Sequence, residues 1–240
     1  MSVSILKTLE KLSALYPESG ALEVGTPYHM VVMVALSART RDEQILKLAP
    51  GFFQKFPTVE RLADADVLSI TRATNTIGLF QQKAKNLQKM AQMIVRDFDG
   101  EVPRTMEDLT RLPGVGRKTA SVILVAAFGA PAIAVDTHVH RVVNRLGWVK
   151  TKVPEVTERV LLDLLPKKYH AIVNRVFVPF GRTICIPGKP RCWECPLVDE
   201  CAFTKKNLTP PPDADRIRAS ITAMRQGITD LKARLYAALR

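Results

Sequence analysis

The four cysteines of the chain fall within one short stretch, spaced Cys185-x6-Cys192-x2-Cys195-x5-Cys201. Disulfides are rare in reducing compartments, so four clustered thiols predict a metal site. A zinc ribbon normally offers two tight pairs, and here only Cys192 and Cys195 form one. The wider outer gaps suit a 4Fe-4S cluster, which is larger than one ion and accepts ligands from a longer loop. Cys185, Cys192, Cys195 and Cys201 are therefore the expected metal ligands. The segment between the first two, Ile186-Pro187-Gly188-Lys189-Pro190-Arg191, is stiffened by two prolines. Lys189 and Arg191 should project from it as a basic finger suited to phosphate.

A second constellation is Leu112-Pro113-Gly114-Val115-Gly116-Arg117-Lys118, leading into the apolar run from Ser121 to Ala127. Gly114 and Gly116 permit a tight helix-to-helix turn, and Val115 anchors it between the helices. Backbone N–H groups at the start of the second helix then converge on a phosphate, helped by the helix dipole. The glycines are too close together for a P-loop. Lys118, next to Arg117, reads by itself as a solvated face. Asp136, before Thr137 and His138, reads by itself as a helix N-cap. His138 and His140 are two residues apart, which does not put both on one helix face, so no metal pair is read there.

Helical periodicity dominates the elements that must position these groups, and no run alternates like a strand. The expected class is all-α. Helices are predicted at Ile5–Leu15, Tyr28–Ser37, Asp42–Leu48, Val59–Ala63, Lys83–Phe98, Arg117–Phe128, His138–Leu146, Val156–Leu165 and Ala171–Phe180. After Pro210-Pro211-Pro212 a further helix begins near Asp213, with Ile217, Ile221, Met224, Ile228, Leu231, Leu235 and Ala238 on a narrow seam. The seam is expected to pack on the protein's own body, a partner-binding or DNA-supporting helix being the alternative.

The chain of 240 residues carries 35 Lys and Arg against 23 Asp and Glu, a net charge of +12. Such a surplus favours a polyanionic partner. No segment approaches the roughly 20 apolar residues that span a bilayer, so a membrane partner is not expected. The N-terminal stretch lacks a signal peptide's apolar core, which predicts a cytoplasmic, nucleoid-associated protein.

The turn at Leu112–Ala120, the segment VDTHVHRVVNRLG some twenty residues later and the four-cysteine spacing follow one another in this order. Together they resemble the endonuclease III family of helix-hairpin-helix DNA glycosylases and abasic-site (AP) lyases. GLFQQKAKNL at Gly78–Leu87 resembles a further family segment, and the likeness runs from about Pro27 to Thr204. The resemblance implies a two-lobed all-α fold with a DNA-binding cleft. The expected domains are a six-helix domain at residues 21–130, a cluster domain of residues 1–20 and 131–206, and a C-terminal helical extension at 207–240. It implies a base-excision-repair enzyme that acts as a monomer on duplex DNA with a damaged base or abasic site and removes oxidised pyrimidines. On the family pattern Lys118 matches the nucleophile and Asp136 the catalytic carboxylate. Arg39 and Leu79 match the residues that fill the hole left by a flipped base.

The chain departs from the pattern in a long tail after Lys206 and at four positions. Arg39 stands where a glutamine is usual, Arg41 where threonine is common, Phe180 where a histidine is usual and Phe80 where a tyrosine is usual. These departures keep two alternatives open: a specialised paralogue that binds damaged DNA without efficient catalysis, and a glycosylase for mismatched bases.

Overall fold

The computed structural model describes residues 3–16, 20 and 22–239. Ala21, the expected first residue of one domain, lies outside them. Among the described residues twelve α-helices run in chain order: α1 (Val3–Leu15), α2 (Pro27–Leu36), α3 (Asp42–Lys55), α4 (Val59–Ala63), α5 (Val67–Thr74), α6 (Phe80–Asp97), α7 (Met106–Arg111), α8 (Arg117–Phe128), α9 (Thr137–Arg145), α10 (Pro154–Leu164), α11 (His170–Thr183) and α12 (Ala214–Ala238). There is no strand among the described residues, as the missing alternation predicts. No described helix is long and apolar enough to cross a membrane.

The chain divides into two compact units. One comprises Gly20–Ala130 with Gln226–Arg240, the other Met1–Ser19 with Pro131–Arg225. In the first, α6 packs against α4 and α5, and α8 against α2 and α7. The apolar stripe of α6, Ala84, Leu87, Ala91 and Ile94, recurs every three or four residues and is buried. α3 continues past the expected end at Leu48 and through Pro50 to Lys55. Pro50 removes one helical hydrogen bond, but Phe52 and Phe53 lie on the following turn and are almost wholly buried. Burying two aromatic rings outweighs the proline's preference. α8 ends on Gly129 at φ +62, where Gly129 and Ala130 donate back to Val125 O and Leu124 O.

In the second unit, α1, α9 and α11 share a core that includes Leu9, Leu12, Val139, Val142, Val176 and Phe177. Phe180 belongs to that core and is 1% exposed. The side chain that stands where the family carries histidine is therefore packing material. The first half of α12 belongs to this unit and the second half to the other. In the first half Arg218 lies over the Trp193 ring at 5.0 Å and Arg225 over Tyr16 at 4.3 Å. In the second half Leu235 is fully buried, and Tyr236 Oη donates to Glu23 O at 2.9 Å. Of the seam, Leu235 is buried and Ile221 packs against the second unit's core, whereas Met224 is 39% exposed.

Candidate functional site

α7 stops at Leu112, where the backbone turns extended, and the chain reverses through Pro113 and Gly114. Gly114 sits at φ +85, and a Cβ there would come within 2.9 Å of Asn86 Nδ2. The left-handed conformation demands glycine, and a side chain there would also push the Asn86 amide aside. Gly116 differs: its φ is −88, the ordinary region, and the space where a Cβ would stand is open. What its bare backbone provides is unobstructed approach to the first turn of α8, which no side chain caps. Val115 is buried, and its N–H donates to Leu112 O at 3.0 Å. It anchors the turn, so outward contact falls to the glycines. Lys118 and Arg117 are both exposed on the first turn of α8.

Beside the hairpin lies a cavity of about 210 Å³, lined by Arg39, Leu79, Gln82, Lys83, Asn86 and Gly114 among others. Arg39 and Leu79 both adopt left-handed backbone, at φ 56 and 58. Such conformations in non-glycine residues cost roughly 1–3 kcal/mol and persist where the surroundings impose them. Leu79 is 60% exposed, so it is not a core residue. The structure thus brings Arg39, Leu79 and Gly114 around one cavity.

Lys83 is the residue that sequence reading missed. Its side chain is 8% exposed, and its Nζ donates to Leu36 O at 2.8 Å and Thr40 Oγ1 at 2.5 Å. Burial pulls its amine below the ordinary lysine range. The signal was its spacing: Lys83, Leu87, Met90 and Ile94 share one helix face, so a lysine sits on an apolar stripe.

Asp136 belongs to the other unit, as the N-cap of α9. Its Oδ1 accepts from His138 N and Val139 N, each at 2.8 Å. Desolvation pulls the His138 imidazole below its ordinary value, and the Asp136 charge partly offsets this. The two histidines go separate ways: His140 Nδ1 pairs with Thr157 Oγ1 at 2.7 Å, and His138 Nδ1 lies 3.2 Å from Arg141 Nη2.

The four cysteines line one cavity together with Arg145, Arg191 and Phe203. Two arginines one helical turn apart on α9 brace their loop. Arg141 Nε donates to Cys185 O at 3.0 Å and its Nη2 to Gly181 O at 2.8 Å. Arg145 Nη1 donates to Ile186 O at 2.8 Å and reaches Cys185 Sγ at 3.4 Å. Burial raises the Cys185 thiol and pushes Cys195 up to about 12. The guanidiniums of Arg141 and Arg145 pull Cys185 the other way. Lys189 is exposed, as a basic finger requires, but Arg191 turns inward, with its Nη1 on Thr183 O at 2.6 Å. Among the described residues no three Cys, His, Asp or Glu side chains form a group that could hold a metal ion. One zinc ion draws four sulfurs to about 2.3 Å, whereas a multi-iron cluster is held from a wider ring. Four soft thiol donors around one cation-lined cavity fit the wider group.

Comparison with known proteins agrees with these features. Residues 32–167 match the model of the HhH-GPD superfamily base excision DNA repair proteins. Endonuclease III of Thermotoga maritima is 42% identical over 180 residues, covering 75% of this chain and 84% of the relative. Endonuclease III of Bacillus subtilis is 42% identical over 202 residues, covering 82% and 91%. The fold superposes with a TM-score of 0.76 on a trapped endonuclease III–DNA covalent intermediate, an estranged-adenine complex. That chain is 35% identical, and the match covers 82% of this chain and 94% of that one. With its hairpin, its all-helical units and relatives matched over most of their length, the chain belongs to the endonuclease III family of HhH-GPD base excision DNA repair proteins.

Proposed function

We propose that Lys118 is the nucleophile and Asp136 the charge-stabilising carboxylate of a base-excision DNA glycosylase and abasic-site lyase that removes oxidised pyrimidines. The observation that carries this reading is the exposed Lys118, on the uncapped first turn of α8 directly behind the glycine turn. Phosphate drawn to that helix start would bring a nucleotide's sugar within reach of the amine. Residues 21–130 form the domain that presents hairpin and wedge. Residues 1–20 and 131–206 form the cluster domain, and 207–240 a helical extension.

The target base must leave the duplex stack before it can react. Leu79, exposed and apolar, is the wedge that takes its place, and Arg39 faces the orphaned partner. As the bond from C1′ to the base breaks, positive charge develops on the sugar, and the Asp136 carboxylate opposes it. The capping bonds use Oδ1, which leaves Oδ2 to face the sugar. The unprotonated Lys118 amine adds its lone pair to C1′ and the base departs with a proton. The resulting amine opens the sugar ring, whose oxygen takes up a proton, to give an iminium. Loss of the C2′ proton then expels the 3′ phosphate, and water releases the lysine. The proton that Lys118 must shed before it attacks goes to solvent water, so that Asp136 stays ionised.

Cys185, Cys192, Cys195 and Cys201 would hold a 4Fe-4S cluster, whose part is structural. Lys189, with Arg191 bracing its loop, would offer charge to the DNA backbone. A salt-dependent, one-to-one complex with damaged duplex is expected. Borohydride treatment of the protein with an abasic duplex tests the reading. A covalent adduct should form with the native chain and vanish in Lys118→Ala. An adduct that persists in the variant overturns the assignment.

A further inference from the structure

Lys83 is bonded at both its ends. Its backbone N–H donates to Leu79 O at 3.0 Å, and its ammonium donates to Leu36 O and Thr40 Oγ1 on the far side of the cavity. Leu36 ends α2, so its carbonyl lacks an in-helix donor. The N–H that would continue the helix, that of Thr40, goes to Ser37 O instead at 2.9 Å. A cation on such a terminal carbonyl is favoured by the helix dipole. The left-handed Arg39 lies between the two groups that Lys83 holds, Leu36 and Thr40, and the left-handed Leu79 is the residue its backbone holds. One turn further along α6, Asn86 packs against Gly114 of the hairpin and receives a hydrogen bond from Gln82 Nε2 at 2.9 Å.

We propose that Lys83 is a positioning residue that locks the strained Arg39 and Leu79 turns into one two-pronged wedge at the cavity. The proposal rests on the reading of Arg39 and Leu79 as the residues that enter the duplex. A lysine suits the place because the two groups it ties are oxygens, a main-chain carbonyl and a hydroxyl, and one ammonium donates to both. An apolar side chain would fill the same space and leave Leu36 O without that bond. Arg39 would then lose its hydrogen-bonded tie to the helix that follows Leu79, and two prongs that move independently cannot enter one base-pair gap together.

The test uses a duplex carrying a stable abasic analogue opposite a fluorescent adenine analogue, which brightens when splayed from the stack. The native protein should raise the fluorescence at saturating concentration. Lys83→Met should cut that rise about tenfold, since misplacement on the ångström scale costs up to about a hundredfold at such sites. Leu79→Ala should do the same, and the double variant should fall no lower than either single one. Losses that multiply in the double variant, or full fluorescence in Lys83→Met, would overturn the proposal. Should circular dichroism show Lys83→Met unfolded, Thr40→Val removes one of the two acceptors and leaves the lysine in place. It should lose about half of the rise, and an unchanged rise would overturn the proposal. A native protein that brightens the analogue yet gives no borohydride adduct supports the wedge and removes the lyase reading. A native protein that leaves the analogue dark removes the wedge.

Discussion

Asp136 has two jobs to separate, capping a helix and opposing charge on a sugar, and two substitutions do so. Its Oδ1 takes two backbone N–H groups at 2.8 Å. Asp136→Ala deletes both bonds and should cost about 1–2 kcal/mol, the usual toll for a lost N-cap. For a chain of this size that lowers the melting temperature by about 2–8 °C. Asp136→Asn keeps an acceptor oxygen at the same place, and asparagine caps as well as aspartate, so stability should hold within about 0.5 kcal/mol. Catalysis should not follow stability. Both variants lose the carboxylate charge, and removal of one electrostatic stabiliser of a transition state slows turnover about 10²- to 10³-fold. Thermal melts by circular dichroism and single-turnover excision from a duplex with one oxidised pyrimidine supply the two axes. If Asp136→Asn melts as low as Asp136→Ala, the capping geometry is wrong. If Asp136→Asn excises at the native rate, Asp136 is a helix cap and nothing more.

Leu79→Gly relieves a left-handed leucine while removing an exposed side chain. It should raise stability in denaturant by about 0.5–1 kcal/mol and lower duplex excision about tenfold or more, so a fall in both would refute the wedge. Burial holds His29 below the ordinary histidine value of 6.5, and its Nδ1 accepts the Thr26 N–H at 3.0 Å. The unfolded chain therefore takes up that proton first, so this contribution is full above pH 6.5 and is lost as the pH falls below it. His29→Gln, which still completes the capping box, should flatten the pH dependence of the urea midpoint, and an unchanged slope would refute the assignment. Arg145→Met removes the donor on Ile186 O and beside Cys185 Sγ. Iron retention against a chelator, followed by visible absorbance, should weaken about 10- to 100-fold, and native retention would show the brace to be idle.

The helices were legible where caps and apolar spacing agreed. Arg117–Phe128, bounded by two glycines, and Val59–Ala63, behind a threonine cap, have the ends that the sequence predicts. Val67–Thr74 and Met106–Arg111 went unread because each is short and shows little apolar period, although Asp66 and Thr105 cap them. α3 outran its prediction because Pro50 stops a helix only when nothing beyond it needs burial. At the site, Gly114 was readable from its motif, whereas the left-handed backbone at Arg39 and Leu79 was not, since neither residue type favours it. In the sequence Arg141 and Arg145 are two basic residues of VDTHVHRVVNRLG, with nothing beside them to name their partners. In the structure their bonds run to carbonyls of residues 181–186, a partnership across some forty residues that no local pattern reveals.

Those guanidinium bonds have a consequence for how the mature protein is assembled. On the reading of the four cysteines as cluster ligands, the stretch that carries the first of them is laced to α9 through its own carbonyls, by bonds that do not involve the metal group. On that reading, loading should resemble filling a prepared socket more than folding a finger around an ion. Iron starvation should then yield a pale chain that is still folded and can be charged later.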